Sequence, residues 1–254
     1  MICSNQPSNG GRVNPARALW RVPSRCYAGA MNIAIDDTEA APIGPVVLHD
    51  YWRSSAAYRV RIGLNLKGIA HERRPVDLAS GEQRGKSYRA ANPQGFVPML
   101  EMDGLALTQS LSILHYLDAR HPMPPFLPVE PAERAQVEAM ALLIACDIHP
   151  LNNLRVLHAI GELGADEAAR NSWIARWIGE GFAALEALAA LHAGEFLAGD
   201  VPSLAEICLV PQMYNARRFG VPLDAYPTLV RADAAAQAHP AFAAAHPDRV
   251  APAR

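Results

Sequence analysis

The hydrophobic period of this chain changes once, at a run of prolines, and that change restricts the fold more than any composition figure. Residues 121–131 (HPMPPFLPVEP) hold five prolines. Such a run cannot continue a helix or a central strand, and it reads as a stiff extended connector. Before it, short β-branched runs alternate with helical segments. After it, every patterned segment repeats its apolar positions at helical spacing. An α/β unit followed by an all-helical unit is the architecture these two patterns require.

In the first half, Val46-Val47-Leu48-His49-Asp50-Tyr51 reads as a strand. From Ala56 to Leu66, Ala57, Val60 and Leu64 share one helical face, with Ile62 and Leu66 beside it. Gly68 ends that helix. Residues 71–77 read as a second strand, confined to an edge or an end by Pro75. Residues 82–91 form a weak helix. Val97–Met102 and Leu105–Leu107 flank Asp103-Gly104, a strong hairpin signal. Ser110 to Arg120 is an amphipathic helix. In the second half, helices are expected at about 132–158, 166–192, 203–217 and 227–238. Ser203 and Glu206 form a capping box before ICLV. The expected divisions are a leader over 1–45, an α/β domain over 46–121, a proline-rich linker over 122–131, an all-helical domain over 132–248 and a tail over 249–254.

Composition narrows the function classes. The formal charge is -2, without the basic surplus of a nucleic-acid binder. No apolar run approaches the ~18–20 residues of a membrane span. The four cysteines, Cys3, Cys26, Cys146 and Cys208, show neither disulfide-scaffold nor zinc-ligand spacing. Cys146 and Cys208 sit inside apolar patterns, so buried reduced thiols in a cytoplasmic protein are expected, and no metal. Residues 1–45 have no acid before Asp36 and no continuous apolar core, which argues against a secretory signal. They read as a disordered or mis-assigned leader, with Met31 a possible start, although arginine with few acids also suits a transit peptide.

Several residues carry chemistry. Arg53, Ser54 and Ser55 lie between a strand and a helix, where orphan N–H groups and the dipole favour an anion. A thiolate held there has a lowered pKa. Ser54 or Ser55 equally suits the helix N-cap, and the two readings are compatible. Ser110 is a plausible N-cap of the next helix. His149 and Asn153 are spaced i,i+4, on one helical face, although Pro150 between them must kink or break that helix. A surface histidine in a turn is the plainer alternative. Arg218 follows a helix, where an arginine is ordinarily a solvated end residue.

Three segments carry a resemblance. Arg53-Ser-Ser-Ala-Ala-Tyr-Arg-Val-Arg-Ile62 resembles the R-S-S-C-x-[WY]-R-V-R-I opening of zeta-class glutathione transferases. Asn92-Pro-Gln-Gly-Phe-Val-Pro98, with Leu107-Thr-Gln-Ser-Leu-Ser-Ile113, resembles their N-P-x-x-x-V-P and x-Q-S-L-A-I segments. Leu197–Gln212 resembles their G-D-x-x-[ST]-x-A-D-x-x-L-V-P-Q helix, and the likeness runs over about 46–248. Cys146–Asn153 and Arg217-Arg218-Phe219 look particularly like bacterial maleylpyruvate isomerases.

The resemblance implies a thioredoxin-like N-terminal domain with a mixed four-stranded sheet and an all-helical C-terminal domain, the glutathione transferase fold. It implies glutathione as cofactor, with Ser54 stabilising its thiolate. Ser55, Ala56, Gln83, Val97 (before a cis Pro98), Gln109, Ser110, His149 and Asn153 would make further contacts. Arg53, Arg155 and Arg218 would receive a small dicarboxylic keto-acid, with Arg53 and Arg218 also acting catalytically. The activity implied is glutathione-dependent cis–trans isomerisation of maleylacetoacetate or maleylpyruvate, in aromatic-compound breakdown. The rivals are a general transferase or dehalogenase for small electrophiles, and a non-catalytic glutathione-binding module. Ala56 stands where the family often has Cys, so slower or retuned chemistry is expected. A homodimer is implied as well.

Overall fold

A computed structural model describes residues 44–252 of the chain. The leader expectation, Cys3 and Cys26 fall outside these residues, apart from positions 44 and 45 of the leader. The first element is strand β1 (Val47–Asp50), then helix α1 (Ser55–Leu66) and strand β2 (Glu72–Pro75). A 3-10 turn (Glu82–Arg84) and helix α2 (Lys86–Ala91) replace the single weak helix read from the sequence; Gly85 lies between the two pieces. Strands β3 (Met99–Met102) and β4 (Leu105–Thr108) precede helix α3 (Ser110–Arg120).

The sheet order is β2-β1-β3-β4. β1 and β2 are parallel, joined through α1; β1–β3 and β3–β4 are antiparallel. β2 is an edge strand, so Pro75 deprives no second neighbour of a donor. Asp103 and Gly104 take φ of 53° and 75°, the mirror-image turn that matches strand twist and that Asp-Gly favours.

Helix α1 is central. Gly68 ends it at φ 65°. α3, α7 (Leu204–Arg218) and α9 (Pro240–Ala245) all pack against it. It therefore buries almost every side: Tyr58, Val60, Ile62 and Leu64, but also Arg59 and Arg61. A buried network fixes its approach. Asp50, at the end of β1, accepts from Arg61 Nη1 at 2.6 Å and from Arg73 Nε at 2.9 Å. Arg61 also donates to the carbonyls of Trp52 and Ala245, and Arg73 to that of Val250. The loop that carries Arg53 and Ser54 is thus anchored at Asp50 and Trp52.

The second half is helical. α4 (Pro131–Leu142) leads into a π-helical segment (Leu143–Ile148), a 3-10 turn (His149–Asn152) and α5 (Leu154–Glu162). This corrects the single helix expected over 132–158. Pro150 lacks an N–H and cannot sit inside an α-helix without losing a bond, so the chain resolves the conflict in tighter and wider turns. α6 (Glu167–Ala189), α7 and α8 (Pro227–Ala238) complete the main helices, and α9 and α10 (Pro247–Val250) follow as two short ones with proline at their starts. The capping box of α7 is present in full: Glu206 is buried, accepting from Ser203 and from Leu197 N. No helix among the described residues is long and apolar enough to cross a membrane.

Candidate active site

A cleft of about 410 Å³ collects all twelve residues singled out from the sequence. Arg53, Ser54, Ser55 and Ala56 come from the mouth of α1. Val97, in a cis bond to Pro98, precedes β3. Gln109 and Ser110 open α3, and Gln83 comes from the 3-10 turn. His149, Asn153, Arg155 and Arg218 form the helical wall.

At the mouth of α1, Ser54 is the N-cap, with extended backbone and Oγ accepting from Ala57 N at 3.2 Å. Ser55 is the first helical residue and is buried. The cap consumes one lone pair of the Ser54 hydroxyl and leaves its proton free to donate. First-turn N–H groups point the same way. The capping and anion-binding readings therefore hold together in one hydroxyl.

The mouth of α3 differs from the expectation. Ser110 is not the N-cap but the first helical residue; Gln109 takes the cap position without a side-chain cap bond. Gln109 has φ 68°, a strained value for a residue with a Cβ, of the sort that concentrates at ligand sites. Its amide donates to Gln94 Oε1 at 2.7 Å. Ser110 is buried, and its Oγ accepts from Arg59 Nη1 at 3.3 Å. Gln83 also faces the cleft, with an enclosed Oε1 that meets no donor.

On the helical wall, His149 and Asn153 reach the cleft by a route other than a shared helical face. His149 lies in the 3-10 turn, and Asn153 is the extended N-cap of α5, accepting from Arg155 N at 3.2 Å. Pro150 puts the break between them. Burial, and secondarily the charge of Arg59, push His149 down to about 3, so its ring is neutral near pH 7. Cys208 is buried as expected, but Cys146 is exposed and lines the cleft. A π turn advances the helix face more slowly than an α turn, which carries Cys146 out of the buried stripe marked by Ile144 and Ile148.

The electrostatics are one-sided. Arg53, Arg59, Arg84, Arg89, Arg155 and Arg218 line the cleft, and no Asp or Glu does. None of the six has a carboxylate partner among the described residues, although other surface arginines do, such as Arg176 with Glu180 at 2.9 Å. Instead Arg53 stacks on Trp52 at 4.1 Å, Arg218 on Phe219 at 4.9 Å, and Arg155 on Phe96, from before β3, at 4.9 Å. Burial raises the pKa of the Tyr214 phenol, and the charges of Arg218, at the end of α7, and Arg53, before α1, act against that rise. Sequence reasoning missed Arg59, Arg84, Arg89 and Asn152. A second cavity of about 380 Å³ is lined by Tyr58, Tyr214, Arg217 and Asp233, but there Arg217 and Asp233 neutralise each other at 2.6 Å. Among the described residues no group of His, Cys, Asp and Glu could hold a metal ion.

Comparison with known proteins adds the following. Residues 48–125 match the family model described as glutathione S-transferase, N-terminal domain. A maleylacetoacetate isomerase of Rhizobium meliloti is 49% identical over 208 residues, 81% of this chain and 98% of the relative. The holo structure of a maleylpyruvate isomerase, a bacterial glutathione S-transferase in the zeta class, superposes with a TM-score of 0.80. It is 41% identical, over 82% of this chain and 100% of that one. The maleylacetoacetate isomerase of Anaeromyxobacter dehalogenans, with dicarboxyethyl glutathione and citrate bound in its active site, gives a TM-score of 0.75 at 45% identity. It covers 83% of this chain and 98% of its own.

Proposed function

We propose that this chain, which belongs to the zeta class of the glutathione S-transferase family, is a glutathione-dependent cis–trans isomerase of maleyl keto-acids, acting on maleylacetoacetate or maleylpyruvate. The observation that carries the reading is the cleft: six arginines and no carboxylate around the mouths of two helices. A tripeptide with two carboxylates and a dicarboxylic acid together bring the negative charge that this surface lacks. The residues present fit a polar ligand such as glutathione, since Ser110, Gln83 and Arg59 all line the cleft and Gln83 Oε1 and Arg59 Nε and Nη2 are enclosed there without a partner.

When bound, glutathione supplies a thiolate that adds to the cis alkene and leaves again, with rotation about the C–C bond in between. Ser54 donates its proton to the sulfur, because its other capacity is committed to Ala57 N. Ser55, Gln83, Val97, Gln109, Ser110, His149 and Asn153 hold the tripeptide. Arg53, Arg155 and Arg218 receive the acid through paired N–H groups. Arg53 and Arg218, which both line the cleft, steady the charge that develops on the substrate oxygen; fixed donors of this type are the usual largest contribution to catalysis. A neutral His149 adds no competing cation and can accept or donate a bond.

The test is direct. The protein mixed with maleylacetoacetate or maleylpyruvate should deplete the cis-enol absorbance only when glutathione is present, and no glutathione-stimulated loss would end the reading. Arg218→Ala should lower kcat/KM about ten- to a hundredfold, the worth of a charge-assisted hydrogen bond; unchanged kcat and KM would remove its role. Ala56 is half-buried at the cleft. Ala56→Cys restores a weak donor beside the sulfur and should raise kcat about two- to tenfold; a fall would mean the small side chain is needed for room. The same reading makes the protein a homodimer in the cytoplasm; sedimentation of the purified chain would test the dimer, and fractionation of cells the location.

A further inference from the structure

Two enclosed polar groups away from the cleft lack partners, and both line the second cavity, of about 380 Å³. Tyr58, on α1, is 1% exposed, and its hydroxyl bonds to nothing. Asp233, on α8, is 0% exposed. Arg217 Nη2 at 2.6 Å and Gln237 Nε2 at 2.8 Å both engage its Oδ2, while Oδ1 meets no donor. Burial pushes the Tyr58 phenol up, so it keeps its proton near pH 7. Burial raises the Asp233 carboxyl as well, but Arg217 and Gln237 oppose that rise and favour the charged form. An enclosed donor and an enclosed acceptor thus share one cavity, and groups of this kind are unfavourable unless something meets them.

The rest of the lining says what kind of molecule meets them. The rings of Tyr58, Tyr214 and His246 stand edge-on to one another, with centroids 6.5, 6.2 and 5.4 Å apart. Val210 and Val230 add aliphatic surface, so part of the cavity suits an apolar group. Arg217, with its side chain 43% exposed, has N–H groups beyond the one given to Asp233. The polar part therefore offers Tyr58 and Arg217 as donors and Asp233 Oδ1 as acceptor. Arg217 and Asp233 already sum to zero charge, so the matching ligand carries both signs and no net charge. A carboxylate suits the two donors, and an ammonium suits Asp233. The volume lies near the lower end of ligand sites, about 300–1,000 Å³, which calls for a small molecule.

We propose that this cavity, walled by α1, α7 and α8, binds a small α-amino acid with an apolar side chain, its ammonium on Asp233 and its carboxylate on Tyr58 and Arg217. The site is separate from the cleft, with which it shares no lining residue. It does not depend on which substrate the cleft takes.

Calorimetric titration of the full chain tests it with three probes: L-phenylalanine, phenethylamine, which lacks the carboxylate, and 3-phenylpropanoate, which lacks the ammonium. L-phenylalanine should bind, and each analogue should bind at least about tenfold more weakly, the worth of one charge-assisted hydrogen bond. Tyr58→Phe removes only a hydroxyl that no protein group uses. It should keep its denaturant midpoint and lose at least about fivefold in affinity for L-phenylalanine. Asp233→Asn should lose at least about tenfold for L-phenylalanine without weakening 3-phenylpropanoate. In both variants the affinity for glutathione should change less than about twofold, which separates this cavity from the cleft. No binding of L-phenylalanine, the result if water alone meets the two groups, overturns the proposal without any variant having to fold. So does equal wild-type affinity for L-phenylalanine and either analogue. A Tyr58→Phe protein that keeps its L-phenylalanine affinity, or a variant that loses glutathione and L-phenylalanine alike, overturns it too.

Discussion

Replacing Ser54 with alanine should lower kcat about 10²–10³-fold, the cost of removing one donor aimed at a developing or fixed anion. The dissociation constant of glutathione should change far less, because on the proposed reading Gln83, Val97, Gln109 and Ser110 also hold the tripeptide. The same substitution removes the N-cap of α1, in which Ser54 Oγ accepts from Ala57 N at 3.2 Å. A stability loss of about 1 kcal/mol should accompany it. The two effects come apart in Ser54→Asp. Aspartate caps as well as serine, so stability should return; its carboxylate would repel the sulfur's charge, so kcat should stay low. Ultraviolet absorbance of the bound thiolate against pH, denaturant midpoints and turnover supply the three readouts. If Ser54→Ala keeps kcat, or if kcat returns with stability in Ser54→Asp, the serine is a cap and nothing more.

Local sequence signals explain why much of this site was legible. Asp103-Gly104 specifies its hairpin because both residues tolerate positive φ, and that hairpin pairs β4 with β3, the strand that Val97 at the cleft precedes. Ser203 and Glu206 specify where α7 starts, and from that start Arg218 falls on its last turn. Ser54 was readable because capping and anion binding draw on the same orphan N–H groups.

What was not legible depended on the whole fold. In Tyr58-Arg-Val-Arg-Ile62 the arginines look like a solvent face, and nothing local says that α3, α7 and α9 enclose α1 on all sides. Arg59 was missed for that reason. Across 143–153 the apolar spacing continues a helix, yet Pro150 forces π and 3-10 turns, and the change of pitch exposes Cys146 and moves His149 and Asn153 off a common face. Periodicity can be extrapolated only while residues per turn stay constant. Ser110 was read as a cap because serine favours that position; the strained Gln109 occupies it instead, which no propensity would choose.

Asp50→Ala should destabilise the protein by about 3–5 kcal/mol, the range for breaking a buried ion pair from one side. Asp50 is 1% exposed and is the only carboxylate paired with either Arg61 or Arg73 among the described residues. Removing it leaves Arg61, 1% exposed, as an enclosed charge with only carbonyls for partners. Those carbonyls belong to Trp52, in the loop carrying Arg53 and Ser54, and to Ala245 of α9, while Arg73 reaches Val250 of α10. The loss should therefore spread from β1 to the C-terminal helices and to Ser54, lowering kcat as well as the denaturant midpoint. Glutathione should raise the midpoint of the variant with the logarithm of its concentration above the dissociation constant, since it binds the folded state. Two controls set the scale. Glu180→Ala, which breaks the exposed pair with Arg176, should cost less than about 0.5 kcal/mol. Asp50→Leu combined with Arg61→Met should be less damaging than Asp50→Ala, because it leaves no orphan charge on α1. A single-variant loss below about 1 kcal/mol would mean that water reaches Arg61 once Asp50 is gone, and that the network does not anchor the loop of Ser54.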